Sequence, residues 1–97
     1  MITYRTTVKD LRYAKQLIEN KSFLYSITIP IAKEMILNKI EQFLAIEIFT
    51  ETTERFIIVL QYNTLKLHLE YYIDWLISQE RYEECQEIVN IISQIDE

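Results

Sequence analysis

The residues with reactive side chains are few, and their spacing gives them little to react with. His68 is the only histidine and Cys85 the only cysteine of the chain. A histidine works as a general base near neutral pH when an acid or a nucleophile stands beside it. The neighbours of His68 are Leu67 and Leu69, so it is expected to be a packing or rim residue. Glu70/Asp74 and Glu80/Glu84 are each spaced by one helical turn, as metal ligands can be. Neither pair has a histidine or a second acidic helix to complete a coordination shell, and a solvated face is expected. Phosphate loops and nucleophile elbows need glycine, and the chain has none. The expectation is a protein that is not an enzyme, with no catalytic residue, no metal and no cofactor.

What remains is contact chemistry. Arg5, Lys9 and Arg12 recur at i, i+4, i+7, the pattern of a short phosphate-contacting strip on one helix side. Glu80, Glu84 and Glu87, joined by Glu83, make an opposing acidic strip suited to a basic protein surface, even one that normally holds nucleic acid. Tyr71, Tyr72 and Trp75 are the aromatic contact candidates, because aromatic side chains bury large area with little rotamer entropy.

The elements that must position these residues follow from composition and period. At 97 residues this is a single domain, 1–97, with 49% hydrophobic and 26% charged residues, the balance of a folded chain. No glycine and one proline make tight β-turns hard to build, which favours helices. Four helices are predicted, near 7–20, 30–49, 53–78 and 81–95. In the first, Thr7 would cap and Val8, Leu11, Ala14, Leu17 and Ile18 make the apolar face. Phe23, Tyr25, Ile27 and Ile29 alternate, which suggests an extended connection or a short edge strand, and Pro30 is expected to force Ile29 out of helical geometry. The third helix rests on Ile58, Tyr62, Leu65, Leu69, Tyr72 and Leu76, a 4-3-4-3-4 stripe. At about 100° per residue, Leu60, Leu67, Tyr71 and Trp75 fall opposite that stripe. A helix apolar on two faces is central in its domain or buries one face against another chain. Beyond Leu76 the phase jumps, so the chain breaks near Gln79–Arg81 and a last helix folds back with Cys85 on its buried side.

"LISQERYEECQEIVNII" resembles the corner between the paired helices of a tetratricopeptide repeat, and is similar to the two-helix UVR hairpin of excision-repair proteins. Both resemblances imply a helical hairpin that binds other proteins. Glu80 stands where the repeat corner usually carries glycine, and Cys85 where it carries alanine. No second copy occurs in the chain, so no repeat array is expected.

The predicted architecture is therefore all-α: an antiparallel four-helix bundle with one long central helix and a C-terminal helical hairpin. The alternative is α+β, with a β-hairpin at 45–61 formed by the β-branched residues there. Charge separates the halves: residues 1–48 carry seven basic against five acidic side chains, and residues 49–97 three against ten. No apolar run approaches the roughly 20 residues of a membrane span, and no signal peptide is evident, so a cytoplasmic location is expected. Ile far outnumbers Ala, and Lys, Asn and Tyr are frequent, a bias of A+T-rich coding found in bacteria, phages and mobile elements.

The functional expectation is a non-catalytic protein-binding module. Its concrete form is a small acidic inhibitor or accessory protein of a phage or mobile element that blocks a host protein or nucleoprotein. The expected partner-binding residues are Leu60, Leu67, Tyr71 and Trp75 with Glu80, Glu83, Glu84 and Glu87. The second expectation is a self-assembling structural subunit, a homodimer through the same face. A nucleic-acid-binding regulator comes third, since the net charge of −5 opposes binding to nucleic acid.

Overall fold

The computed structural model describes residues 1–95, and it is not a helical bundle. A strand β1 (Tyr4–Val8) leads through helices α1 (Leu11–Ile18) and α2 (Lys21–Asn38) to strands β2 (Gln42–Thr50) and β3 (Arg55–Gln61). One 3-10 turn at Tyr62–Thr64 then opens α3 (Leu65–Ser78), and α4 (Tyr82–Ile95) closes the chain. The sheet order is β1-β2-β3, with β1 parallel and β3 antiparallel to the central β2. The all-α prediction is thus wrong, and the hairpin of the alternative forms over Gln42–Gln61.

Each misplaced boundary has a local cause. Thr7 caps nothing, because it lies in β1 opposite Phe49; Asp10 caps α1 instead, its side chain accepting from the Arg12 N–H. The segment with alternating Phe23, Tyr25, Ile27 and Ile29 is helical, capped by Asn20, whose side chain accepts from the Phe23 N–H. The helix runs straight through Pro30 and ends at Asn38, where Lys39 takes φ 52° and the Ile40 N–H reaches the Met35 carbonyl. The predicted 30–49 helix therefore splits into the second half of α2 and most of β2.

The hairpin between β2 and β3 turns without glycine because threonine hydroxyls replace missing backbone bonds. Thr53 takes φ 70°, Thr50 Oγ1 accepts from the Glu54 N–H at 2.9 Å, and the Thr53 N–H reaches the Thr50 carbonyl. A β-branched residue at positive φ is rare, so composition argued against this turn for a sound reason. The long 53–78 helix is consequently β3, the 3-10 turn and α3 in succession.

All four helices lie on one side of the sheet. Ile46, Ile48 and Leu60 face them and pack with Ala14, Met35, Leu65, Leu69, Leu76 and Ile88 in one core. The helix that touches most of its surroundings is α2, which packs against β2, α1, α3 and α4. The long central helix predicted over 53–78 is not formed, and the helix with this central position is α2, Lys21–Asn38. No helix among the described residues is long and apolar enough to cross a membrane. The break between the last two helices falls at Gln79–Arg81. There Glu80, at the place where the resembled repeats carry glycine, takes φ 56°, and the Arg81 N–H closes onto the Leu76 carbonyl at 2.9 Å.

Candidate protein-binding surface

The residues expected to form one contact face divide between two places. Leu67 and Tyr71 stand on the outer side of α3, 70% and 60% exposed. Leu60 does not join them: it lies on β3, 2% exposed, inside the core. Its place opposite the Ile58 stripe required a helix, and on a strand Ile58 and Leu60 point to the same side. Trp75 is half-buried, with its ring 5.8 Å from that of Tyr25 and the Arg81 guanidinium 5.2 Å above it. Tyr71, one turn earlier, carries the Lys21 ammonium 4.9 Å above its ring. Tyr72 is buried and structural, its hydroxyl 3.5 Å from that of Thr28 on α2.

The acidic strip divides as well. Glu84 accepts from Arg81 Nε at 2.7 Å, and Glu87 pairs with Lys33 on α2. Glu87 therefore ties α4 to α2, while Glu84 pairs within the corner itself, three residues from Arg81. Glu80 and Glu83 are exposed, and neither side chain has an ion pair among the described residues. The corner thus presents two unneutralised acids beside an aromatic and guanidinium stack of Tyr25, Trp75 and Arg81. Arg81 also holds the Glu84 carboxyl below its usual range by hydrogen bonding. Burial, and then Glu84, push the Tyr25 phenol up to about 12.

The basic strip does not exist as a strip. Arg5 is on β1, Lys9 lies between β1 and α1, and Arg12 is tied to the Asp10 carboxylate at 3.2 Å. Arg5 has a different task on the uncovered side of the sheet. Its Nε donates to Glu47 Oε1 at 2.9 Å, while Arg55 Nε donates to Glu47 Oε2 at 2.7 Å. The two guanidiniums reach Glu47 from the strands on either side of β2, and with Phe49, Ile57 and Val59 they form the open sheet face. Sequence reasoning missed this triad because the partners are 8 and 42 residues from Glu47, and only strand pairing brings them together.

These pairs set the pH response. Hydrogen bonds from Arg55 and Arg5 hold the Glu47 carboxyl below its usual range, as Arg12 does for Asp10. A group whose folded pKa is depressed stabilises the fold above its unfolded pKa and loses that contribution as pH falls through the folded value. A group with a raised folded pKa, like Tyr25, contributes fully below its unfolded value, near 10, and loses this as pH rises toward about 12. Thermal melts followed by circular dichroism should therefore give a flat Tm near neutrality. It should fall below the ordinary carboxylate range and again above about pH 10. A Glu47→Gln variant should lose much of the acid-side slope. An unchanged slope would show that the triad adds nothing to folding.

No reactive constellation appears among the described residues. His68 is exposed on α3, and no group of three or more His, Cys, Asp and Glu is placed to hold a metal ion. Cys85 is half-buried, less covered than its predicted core position, with its thiol 3.7 Å from the Ile73 carbonyl. No protein-family model matches the chain, and comparisons with curated proteins and with solved structures returned no match.

Proposed function

We propose that this protein is a non-catalytic protein-binding module whose α3–α4 corner engages a basic surface on another protein. The observation that carries the proposal is the pair of exposed, unneutralised carboxylates of Glu80 and Glu83 at a corner whose shape is fixed from beneath. Arg81 stacked on Tyr25 and Trp75, the Arg81–Glu84 pair and the Lys33–Glu87 pair all hold that corner. A preorganised corner loses little side-chain freedom on association. Leu67 and Tyr71 on the exposed side of α3 supply apolar and aromatic contact area next to it. Opposite charge on the partner would steer encounter and fix orientation more than it would add affinity. A partner surface that normally holds nucleic acid fits this chemistry, and occupying it would block that nucleic acid. The excess of acidic over basic residues in the second half of the chain adds a long-range field of the same sign.

The experiment is capture from a lysate of a bacterial host by the immobilised protein, with Glu80→Lys/Glu83→Lys and Tyr71→Glu variants in parallel. The expected result is a partner with a basic surface that the wild type retains, salt elutes and the charge-reversed variant fails to hold. A partner held equally by wild type and both variants would show that this corner is not the contact.

A further inference from the structure

The strand β3 lacks a neighbour on one side, and its chemistry is that of a strand with neighbours on both. The stretch Phe56–Leu60 is apolar throughout, and no charged residue occurs between Arg55 and Lys66. Edge strands of monomers are usually protected by a charge, a proline or a bulge, and beyond Arg55 at its first position β3 has none of these. The irregularity of the hairpin lies on β2, between Leu44 and Ile46. Exposure tells the same story. On the open face Ile57 and Val59 are 48% and 37% exposed. On the helix face Phe56 and Ile58 remain only half-buried, so the helical layer stops short of this edge.

The backbone bonds of the hairpin show which groups β3 leaves unpaired. The Thr50 N–H donates to the Glu54 carbonyl, and the Tyr62 N–H donates to the Glu41 carbonyl. Pairing alternates along an antiparallel ladder, so Phe56, Ile58 and Leu60 also turn their N–H and C=O toward β2. The backbone groups of Arg55, Ile57, Val59 and Gln61 therefore point away from the sheet.

We infer that β3 pairs with β3 of a second copy, antiparallel about a two-fold axis at Ile58. In that register Ile57 faces Val59 of the second copy and Arg55 faces its Gln61. All seven residues of the strand are used, and every outward N–H and C=O finds a partner. The neighbouring registers, centred on Ile57 or Val59, leave two of those residues unpaired. No like charges meet, because the only charged residue of the strand lies opposite an amide. Two three-stranded sheets become one of six strands, and the half-exposed Phe56 and Ile58 of both copies meet beneath it. The two-fold contact is closed, which ends assembly at two copies rather than a fibre. This interface is separate from the acidic corner, so either can fail without the other.

Light scattering on the full chain should give twice 11.8 kDa. The variants Ile57→Lys/Val59→Lys and Ile57→Glu/Val59→Glu should each be folded monomers, since both positions are on the open face and the register sets like charges opposite each other. Mixed in equal amounts, the two variants should re-form a dimer, because the lysines introduced in one copy then stand opposite the glutamates introduced in the other. A further variant, Ile58→Cys with Cys85→Ala, should oxidise to a covalent dimer, because a non-hydrogen-bonded pair brings opposed side chains closest. A monomeric wild type at high concentration would overturn the inference. So would a dimer that persists in both charged variants, or a mixture of them that stays monomeric.

Discussion

Replacing Leu60 with aspartate should unfold the protein or destabilise it by several kcal/mol, whereas Leu67→Asp should leave its stability within about 0.5 kcal/mol. Both leucines belong to the one apolar face read from the sequence, so the contrast tests where the structure separates them. Leu60 is 2% exposed and packs in the core between sheet and helices. Among the described residues the core around Leu60 is apolar, and Arg5 and Arg55 lie on the opposite face of the sheet with Glu47. A carboxylate there must be buried unpaired or open the hairpin to reach water. Even Leu60→Ala should cost about 2–5 kcal/mol, the range for a fully buried leucine whose site collapses only partly. Leu67 makes no such contact, and its substitution should register only in partner capture. Urea denaturation of the two variants against the wild type decides the matter. Equal, small shifts for both would mean that Leu60 is a surface residue and the strand is misplaced.

Much of this division was legible, but in pieces. Leu65, Leu69, Tyr72 and Leu76 are buried on one side of α3, as their spacing requires, and the corner at Gln79–Arg81 follows from the phase jump. The stripe was carried too far toward the N-terminus because Ile58 and Tyr62 fit its period by coincidence. A strand residue facing the core and a helix residue facing the core look alike when only polarity is counted. The β-branched run in Ile46–Val59 carried the correct signal, and the missing glycine overruled it. Thr50 and Thr52 hydroxyls, bonded to each other at 2.9 Å, supply what the turn needs, and no composition count can see that. The alternation from Phe23 to Ile29 misled in the opposite direction. It arises because apolar Phe23 and Ile27 flank the buried stripe; Tyr25, Thr28, Ile29, Ala32, Met35 and Ile36 recur at helical spacing, opposite the exposed Ser22, Ser26, Pro30 and Lys33.

The same physics limited the reading of the site. Tyr71 and Trp75 share a side of α3, and their spacing alone said so. That Trp75 is half covered depends on Tyr25 and Arg81, which belong to α2 and to the corner. The division of the acidic strip depends likewise on Lys33 and Arg81, contacts that a linear pattern does not encode.

Substituting Pro30 with alanine should stabilise the protein, by about 2 kcal/mol, the reverse of the usual direction for a change in a packed domain. Pro30 lies inside α2, past its second turn, and is exposed. Proline there has no N–H for the carbonyl four residues earlier, that of Ser26, and its ring crowds the same carbonyl. The intrinsic penalty is about 3 kcal/mol relative to alanine. Against it stands the unfolded chain, which proline stiffens by about 1 kcal/mol, so the net gain on substitution is smaller than the intrinsic figure. The helix tolerates the residue because its other faces are held: Tyr25, Thr28, Ile29, Ile31 and Ala32 are all buried around it. Those contacts fix the backbone through the gap, which is why the helix does not begin at Pro30 as the sequence alone suggests. The measurement is the urea midpoint, with an unchanged m-value showing that the same surface is exposed on unfolding. A lower midpoint would mean that the ring contributes packing worth more than the lost hydrogen bond. The contact responsible would be with Met1 and Ile2, which line the same shallow surface depression as Pro30.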